Sequence, residues 1–328
     1  MKAAVLHELG QPPRFEDFSD PSAGKDEALV RVRAASLKMV DKQLASGSHY
    51  ASPRQLPVIC GADGLGTLED GTGVFFGGPR RPYGAMAEYT VAPSEFCFPV
   101  PAEVDDATAA AIPNPGVSAW LSLTQRAKLV PGESVLILGA TGVTGQLAVQ
   151  IAKVLGAKRV IGAGRNQQVL RRLRELGADT TIQLDQPEDS LKSAFEQEAR
   201  DAGFDVIIDY LWGRPTEALL AAITKPEFAT IKKDARLVQA GESAGPTISL
   251  PAAVLRSTAL TILGTAGIPA RDILVDAMQQ IMSRAARGEL RIETERVPSR
   301  ISKVSGNVRN NPAAESSSFH NVAAAQAS

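Results

Sequence analysis

The sequence predicts an α/β protein in two unlike parts: a β-rich first third, then a longer segment built as a doubly wound parallel sheet. Three features lead there. Short apolar or alternating runs separated by turn residues fill the chain to about residue 100. From Ser134 to about Leu263, strand-length apolar runs alternate with helical spacing. The first of those runs leads directly into a glycine turn and an apolar helix, VLILGATGVTGQLAVQIAK.

Taken in order, Ala3–Leu9 and Ala28–Ala35 read as strands, parted by the turn residues of PSAGKD. Gly61–Leu68 and Val74–Phe76 flank a DGTG turn, the mark of a tight hairpin. Ala85–Val91 is a further strand, and Val104–Ala111 and Val117–Ala127 have helical spacing. Strand candidates follow at Val135–Leu138, Arg159–Ala163, Thr180–Gln183, Asp205–Ile208, Arg236–Ala240 and Leu260–Leu263. Helical segments between them call for parallel strands covered on both faces. Arg271–Ala286 is patterned as an amphipathic helix. Beyond Arg296 the pattern fades, and 305–328, polar, small and aperiodic, is expected to be a disordered or weakly ordered tail.

Composition narrows the function classes. With 328 residues, 44% hydrophobic and 22% charged, the chain has the balance of a soluble globular protein with a sizeable core. A net charge of −1 without a long basic run gives no ground for a nucleic-acid partner. No apolar run is long enough for a bilayer, and MKAAVLHELG lacks an apolar signal region, so a cytoplasmic protein with no membrane partner is expected. Cys60 and Cys97 are the only cysteines, which excludes a disulfide framework or a four-cysteine zinc lobe.

The turn after Val135–Leu138 carries the chemistry. Gly139, Gly142 and Gly145 are spaced so that one permits a tight turn, one lets backbone approach a pyrophosphate, and one allows close helix–strand packing. The helix that follows offers unpaired N–H groups and a positive dipole end to phosphates. This is the arrangement of a Rossmann dinucleotide site. Enzymes that use NAD place an acid about twenty residues on; here Gly164-Arg165-Asn166 stands there. A guanidinium can bind a 2′-phosphate that a carboxylate would repel, which favours NADPH; the plain alternative is a solvated loop arginine.

PGESVLILGATGVTGQLAVQIAK resembles the fingerprint of the zinc-independent, zeta-crystallin-like quinone oxidoreductases of the medium-chain dehydrogenase/reductase superfamily, with Thr141 and Val143 departing from its usual small residues. SGSHY (Ser46–Tyr50), CGADGLG (Cys60–Gly66), GAMAEYTV (Gly84–Val91), NPGVSAW (Asn114–Trp120), LVQAGESAG (Leu237–Gly245) and LTILGTAG (Leu260–Gly267) resemble further family segments in the family's order. The resemblance implies a GroES-like, partly barrelled catalytic domain (1–115), a Rossmann NADP-binding domain (116–265), a return to the catalytic domain (266–304) and then the tail. It also implies that Ser118 lies near the nicotinamide and that Gly142, Val143 and Thr144 line the pyrophosphate. Gly164, Arg165 and Asn166 would surround the adenosine phosphate, with Gly241, Glu242, Gly264 and Thr265 bordering the cofactor further along. A homodimer through the strand near Leu260–Leu263 is implied as well.

Zinc-dependent relatives hold a metal with Cys, His and a third ligand. Here the corresponding segments read Lys38-Met39-Val40-Asp41 and Gly61-Ala62-Asp63, and the histidines are His7, His49 and His320, so no catalytic metal is expected. Hydride transfer without a Lewis acid needs an acceptor that is already electron-poor, such as a quinone or an α,β-unsaturated carbonyl. Tyr50 matches the family's active-site tyrosine and is the candidate hydrogen-bond donor, or else an amphipathic loop aromatic. Lys38 replaces the Asn of the family's N-P-x-D motif while Asp41 keeps the acid; Lys38 could donate to the carbonyl, contact a cofactor phosphate, or be solvated. The family's closing strand is not recognisable, which would leave a sheet edge uncovered. Two other functions compete: a 2-enoyl thioester reductase, and a low-turnover NADPH-binding sensor or structural protein.

Overall fold

A computed structural model describes residues 1–201, 203–224, 234–265, 267, 269–297 and 321–325, the last group as backbone only. Two compact units divide the chain. Of the described residues, unit 1 holds Met1–Asn114, 278–297 and 321–325, and unit 2 holds those of Pro115–Ala277.

Unit 1 is antiparallel β structure, a half-barrel built around one long strand. In chain order it comprises β1 (Lys2–Leu6), β2 (Arg14–Asp17), β3 (Glu27–Leu37), helix α1 (Met39–Ser46), β4 (Val58–Ile59), β5 (Asp63–Thr67), β6 (Gly73–Gly77), β7 (Tyr89–Pro93), β8 (Cys97–Pro99) and α2 (Asp106–Ala111). β3 pairs with β5 and β7, and β5 pairs with β6 around the DGTG turn. Along β3, Val30 and Val32 turn inward onto Val74 and Phe76 while Arg31 and Arg33 turn out, the alternation of a half-buried strand. The strand expected at Ala85–Val91 forms only from Tyr89. Its first half divides its backbone bonds among Gly61, Cys60, Ala4 and Val32, so no single ladder forms there.

Unit 2 opens with α3 (Pro113–Leu121, begun at the end of unit 1) and alternates β9 (Ser134–Leu138), α4 (Val143–Val154), β10 (Arg159–Gly164), α5 (Gln167–Leu173), β11 (Thr180–Gln183) and α6 (Glu188–Asp201). It continues with β12 (Val206–Asp209), α7 (Gly213–Ile223), β13 (Ala235–Gln239), α8 (Ala252–Ser257), β14 (Leu260–Gly264) and α9 (Arg271–Ala286, which from Met278 belongs to unit 1). All six expected strands form one parallel sheet in the order β11-β10-β9-β12-β13-β14. Central β9 and β12 are buried along their whole length, as a strand covered on both faces must be, and so read as unbroken apolar runs. Leu136, Leu138, Ile161, Ile207 and Leu237 meet Leu191, Phe195 and Leu219 in its core. Each such side chain contributes about 1.5–3 kcal/mol by leaving water.

Near the C-terminus, β15 (Thr294–Arg296) and β16 (Asn321–Ala325) return to unit 1. β16 pairs antiparallel with β3, Val322 opposite Leu37, and parallel with β15. This corrects the expectation of a weakly ordered tail at those five residues and of an uncovered edge beside β3. The strand is held by a backbone ladder, which needs no apolar period. The rest of the expected tail lies outside the described residues. Among the described residues no helix is long and apolar enough to cross a membrane.

Candidate functional site

Because the strands of unit 2 are parallel, their carboxyl ends share one edge, and the order reverses between β9 and β12. Ligands of doubly wound sheets bind at such a switch point. The glycine turn lies on that edge. Gly139 has φ +86°, a left-handed conformation that favours glycine, and both its N–H and that of Ala140 donate to Ala163 O at 2.9 Å. Gly142 caps α4 without a side chain of its own, and a Cβ added there would meet only Gly139 O, at 3.4 Å. At Gly145 an added Cβ would fall 2.2 Å from Gly139 O and 2.6 Å from Ala140 Cα, so helix and turn pack backbone to backbone. Val143, Thr144 and Gly145 occupy the first turn, whose N–H groups have no intrahelical acceptor. The result is a positive helix end without a side-chain cap, partly exposed at Gly142, Val143 and Thr144.

Next along the edge, β10 ends at buried Gly164. A Cβ there would lie 2.3 Å from Thr141 Cγ2, so the missing side chain makes room for the threonine of the glycine turn. The two departures, Thr141 and the absent acid, are one packing event. Arg165 is exposed, with no ion pair among the described residues; its carbonyl accepts from Gln183 Nε2 at 2.7 Å. Asn166 Oδ1 caps α5 by accepting from the N–H groups of Gln168 and Val169, at 3.0 and 3.2 Å. Gly241 approaches Tyr210 O so closely that a Cβ would lie 2.7 Å away. Glu242, Gly264 and Thr265 are exposed on the same edge, and Ser118 is exposed on α3.

Unit 1 contributes a buried polar cluster. Lys38 Nζ donates to Asp63 Oδ1 and Ser36 Oγ, each at 2.5 Å, and to Ser36 O at 3.2 Å. Asp41 accepts the Lys38 N–H through Oδ2 (2.8 Å) and the Ala62 N–H through Oδ1 (2.9 Å). Asn114 Nδ2 completes Asp63 at 3.2 Å. Burial pushes the Asp63 carboxyl up to about 6, against the pull of Lys38. Lys38 is therefore not solvated, and all three of its N–H donors have protein acceptors. It can donate to a substrate carbonyl only by giving up one of these bonds, to Ser36 or to Asp63. Tyr50 stands apart, 95% exposed and stacked on His49 with ring centroids 4.2 Å apart. The Cys60 thiol is pushed up to about 12 by burial, with Asp41 adding to the effect.

The two segments that resemble the zinc-holding segments of metal-dependent relatives thus carry an ammonium salt-bridged to a carboxylate, with no histidine in either. Among the described residues no group of three or more His, Cys, Asp or Glu could hold a metal ion. These residues do not fit zinc. Sequence reasoning passes over Ser36 and Asp63. The available signal was a pair of complementary charges at two motif departures, legible only once the fold joins them.

A doubly wound nucleotide-type unit and an antiparallel half-barrel in one chain make up the architecture of the medium-chain dehydrogenases and reductases. The comparisons agree with that class. Residues 143–284 match the family described as zinc-binding dehydrogenase. A quinone oxidoreductase from Lama guanicoe is 31% identical over 222 residues, 64% of this chain and 66% of that one. An NAD-dependent alcohol dehydrogenase from Sulfolobus acidocaldarius is 25% identical over 331 residues, covering 89% of this chain and 90% of its own. The solved quinone oxidoreductase from Thermus thermophilus, described also in complex with NADPH, superposes with a TM-score of 0.79 at 26% identity, covering 99% of this chain and 100% of that one. The chain belongs to the medium-chain dehydrogenase/reductase superfamily, and within it is quinone oxidoreductase-like.

Proposed function

We propose that the chain is an NADPH-dependent oxidoreductase that transfers hydride to quinones or other α,β-unsaturated carbonyls without zinc, with unit 2 holding the cofactor and unit 1 the acceptor. The observation that carries this reading is the open cap of α4, where an added Cβ would meet one backbone oxygen at 3.4 Å and nothing else within 4 Å. That space suits a pyrophosphate on the first-turn N–H groups of Val143, Thr144 and Gly145. Bound NADPH supplies the hydride.

The chain's own residues do the rest. Arg165 offers an unpaired guanidinium to the 2′-phosphate, while the Gln183 and Asn166 hydrogen bonds hold the backbone on either side of it. Gly241, Glu242, Gly264 and Thr265 border the cofactor along the strand ends, and Ser118 lies toward the nicotinamide. Tyr50 is the side-chain donor for the acceptor oxygen. Lys38 and Asp41 are positioning residues that tie the start of α1 to the Cys60–Ala62 turn. A donor set unfit for zinc favours an acceptor already activated toward hydride by conjugation. β14 is the edge of the parallel sheet, with Ile262 and Leu263 partly exposed, which supports a homodimer through that edge.

NADPH oxidation measured against quinones, enals and enoyl thioesters, with cofactor binding followed in parallel, tests the reading. Turnover is expected with quinones or enals. Turnover confined to enoyl thioesters, or tight NADPH binding without turnover on any acceptor, would overturn it.

A further inference from the structure

Two hollows of unit 1 adjoin beside the buried cluster. The first, of about 200 Å³, is walled chiefly by aliphatic side chains, among them Leu6, Leu44, Val58 and Ile59, and is floored by the Cys60–Ala62 turn. The second, of about 760 Å³, is wider and is rimmed by Tyr50, Arg54 and Arg81. Ala51, Val58 and Arg81 line both, so the two hollows share a wall, with the aliphatic hollow on one side and the cationic one on the other.

The charges at the cationic end are unmatched. No carboxylate lines the second hollow, and neither Arg54 nor Arg81 has an ion pair among the described residues. Their neighbour Arg80, by contrast, is held by Glu27 at 2.7 Å. The Arg81 guanidinium donates one N–H to Ala51 O, which fixes its direction and leaves its other donors for a ligand. Asp41, the acid of the first hollow, has both oxygens engaged by backbone N–H groups. An aliphatic hollow next to two unpaired guanidiniums, one of which (Arg81) lines both hollows, matches a flat conjugated body bearing an anionic group.

We propose that Arg54 and Arg81 are specificity-determining residues that select conjugated acceptors carrying a carboxylate, sulfonate or phosphate. The inference rests on the acceptor-binding role proposed for unit 1 and names the chemical class of that acceptor. The anionic group meets the guanidiniums while the conjugated body lies against the shared wall of Ala51 and Val58, its carbonyl within the hollow that Tyr50 rims.

The test compares kcat/KM for 1,2-naphthoquinone, its 4-sulfonate and crotonyl-coenzyme A in wild type, Arg81→Gln, Arg81→Lys and Arg54→Gln/Arg81→Gln. Relative to the neutral quinone, the doubly substituted protein is expected to lose about tenfold or more on an anionic acceptor, with partial recovery in Arg81→Lys. A loss on the sulfonate assigns the contact to an anion borne by the acceptor ring. A loss confined to crotonyl-coenzyme A assigns it to the phosphates of a carrier arm. Equal losses on neutral and anionic acceptors would overturn the proposal. Calorimetric titration of the cofactor-free protein with 2-naphthalenesulfonate gives a readout independent of turnover. Binding in wild type that weakens about tenfold in the double variant supports the anion site even if no acceptor is reduced. No difference between the two proteins would sink it.

Discussion

The two units build their candidate sites from different materials. In unit 2 the site is backbone: a left-handed glycine, a helix start without a cap, and a strand end stripped to Gly164, all but the last within eight residues of one another. In unit 1 it is side chains, with Ser36, Lys38 and Asp41 meeting Asp63 and Asn114 from distant stretches of the chain. This backbone cradle tolerates changed neighbours but not a Cβ added at Gly145 or Gly164. A charge cluster tolerates changes of shape but not the loss of one charge.

The largest expected effect follows from that contrast. Lys38→Met leaves two carboxylates buried beside each other without their counter-charge and should cost about 3–5 kcal/mol. Adding Asp63→Asn removes one of the stranded charges and should restore most of the lost stability. Urea unfolding midpoints measure both; a double variant no more stable than the single one would show that the ion pair is not what holds the cluster.

In unit 2 the matching perturbation is steric. Gly164→Asp drives its Cβ to 2.3 Å from Thr141 Cγ2, an overpacking worth about 1–3 kcal/mol. Thr141→Ala in the same chain should relieve it. If Gly164→Asp alone melts at the wild-type temperature, the coupling between the two departures is wrong.

A smaller effect is expected with pH. Asp63 is raised from 3.8 to about 6 in the folded state, which therefore binds more protons than the unfolded chain between those values. Its contribution to stability is full below about pH 4 and is lost as pH rises through about 6. The slope is at most about 1.4 kcal/mol per pH unit for one proton. Subtracting the stability curve of Lys38→Met/Asp63→Asn should isolate it, since the exposed carboxylates are common to both. A flat difference between about pH 4 and 6 would contradict the burial argument.

The same contrast explains what could be read in advance. All six parallel strands and the glycine turn were legible, because a strand covered on both faces is an apolar run and its partner helix follows at once in sequence. The hairpin around DGTG was legible for the same local reason. The short strands β2, β4 and β8 were not, since their pairing is set by neighbours far off in the chain. β16 was illegible in another way: NVAAA has no pattern to mark it, and only the free edge of β3 makes it a strand. At the site, Arg165 and the glycines stand out by position. Lys38 stands out as a departure, but a solvated side chain stayed open for it in sequence because its partner Asp63 is 25 residues away. The Thr141–Gly164 fit was visible as two oddities and became one fact only when β9 and β10 were laid side by side.

The central claim is that the uncapped turn of unit 2, completed by Arg165, is an NADPH site. The most direct measurement is equilibrium binding of NADPH and NADH to wild type and Arg165→Ala, followed by nicotinamide fluorescence at low and moderate salt. Wild type should prefer NADPH, and added salt should weaken that preference, because the distinguishing contact joins charges near solvent. Arg165→Ala should lose roughly tenfold to a hundredfold in NADPH affinity, the worth of a charge-assisted hydrogen bond of about 1.5–3 kcal/mol, while NADH binding stays nearly as it was. Equal affinity of wild type for the two nucleotides, or equal losses of both in the variant, would contradict the assignment of Arg165. Failure of either nucleotide to bind wild type would contradict the cradle itself.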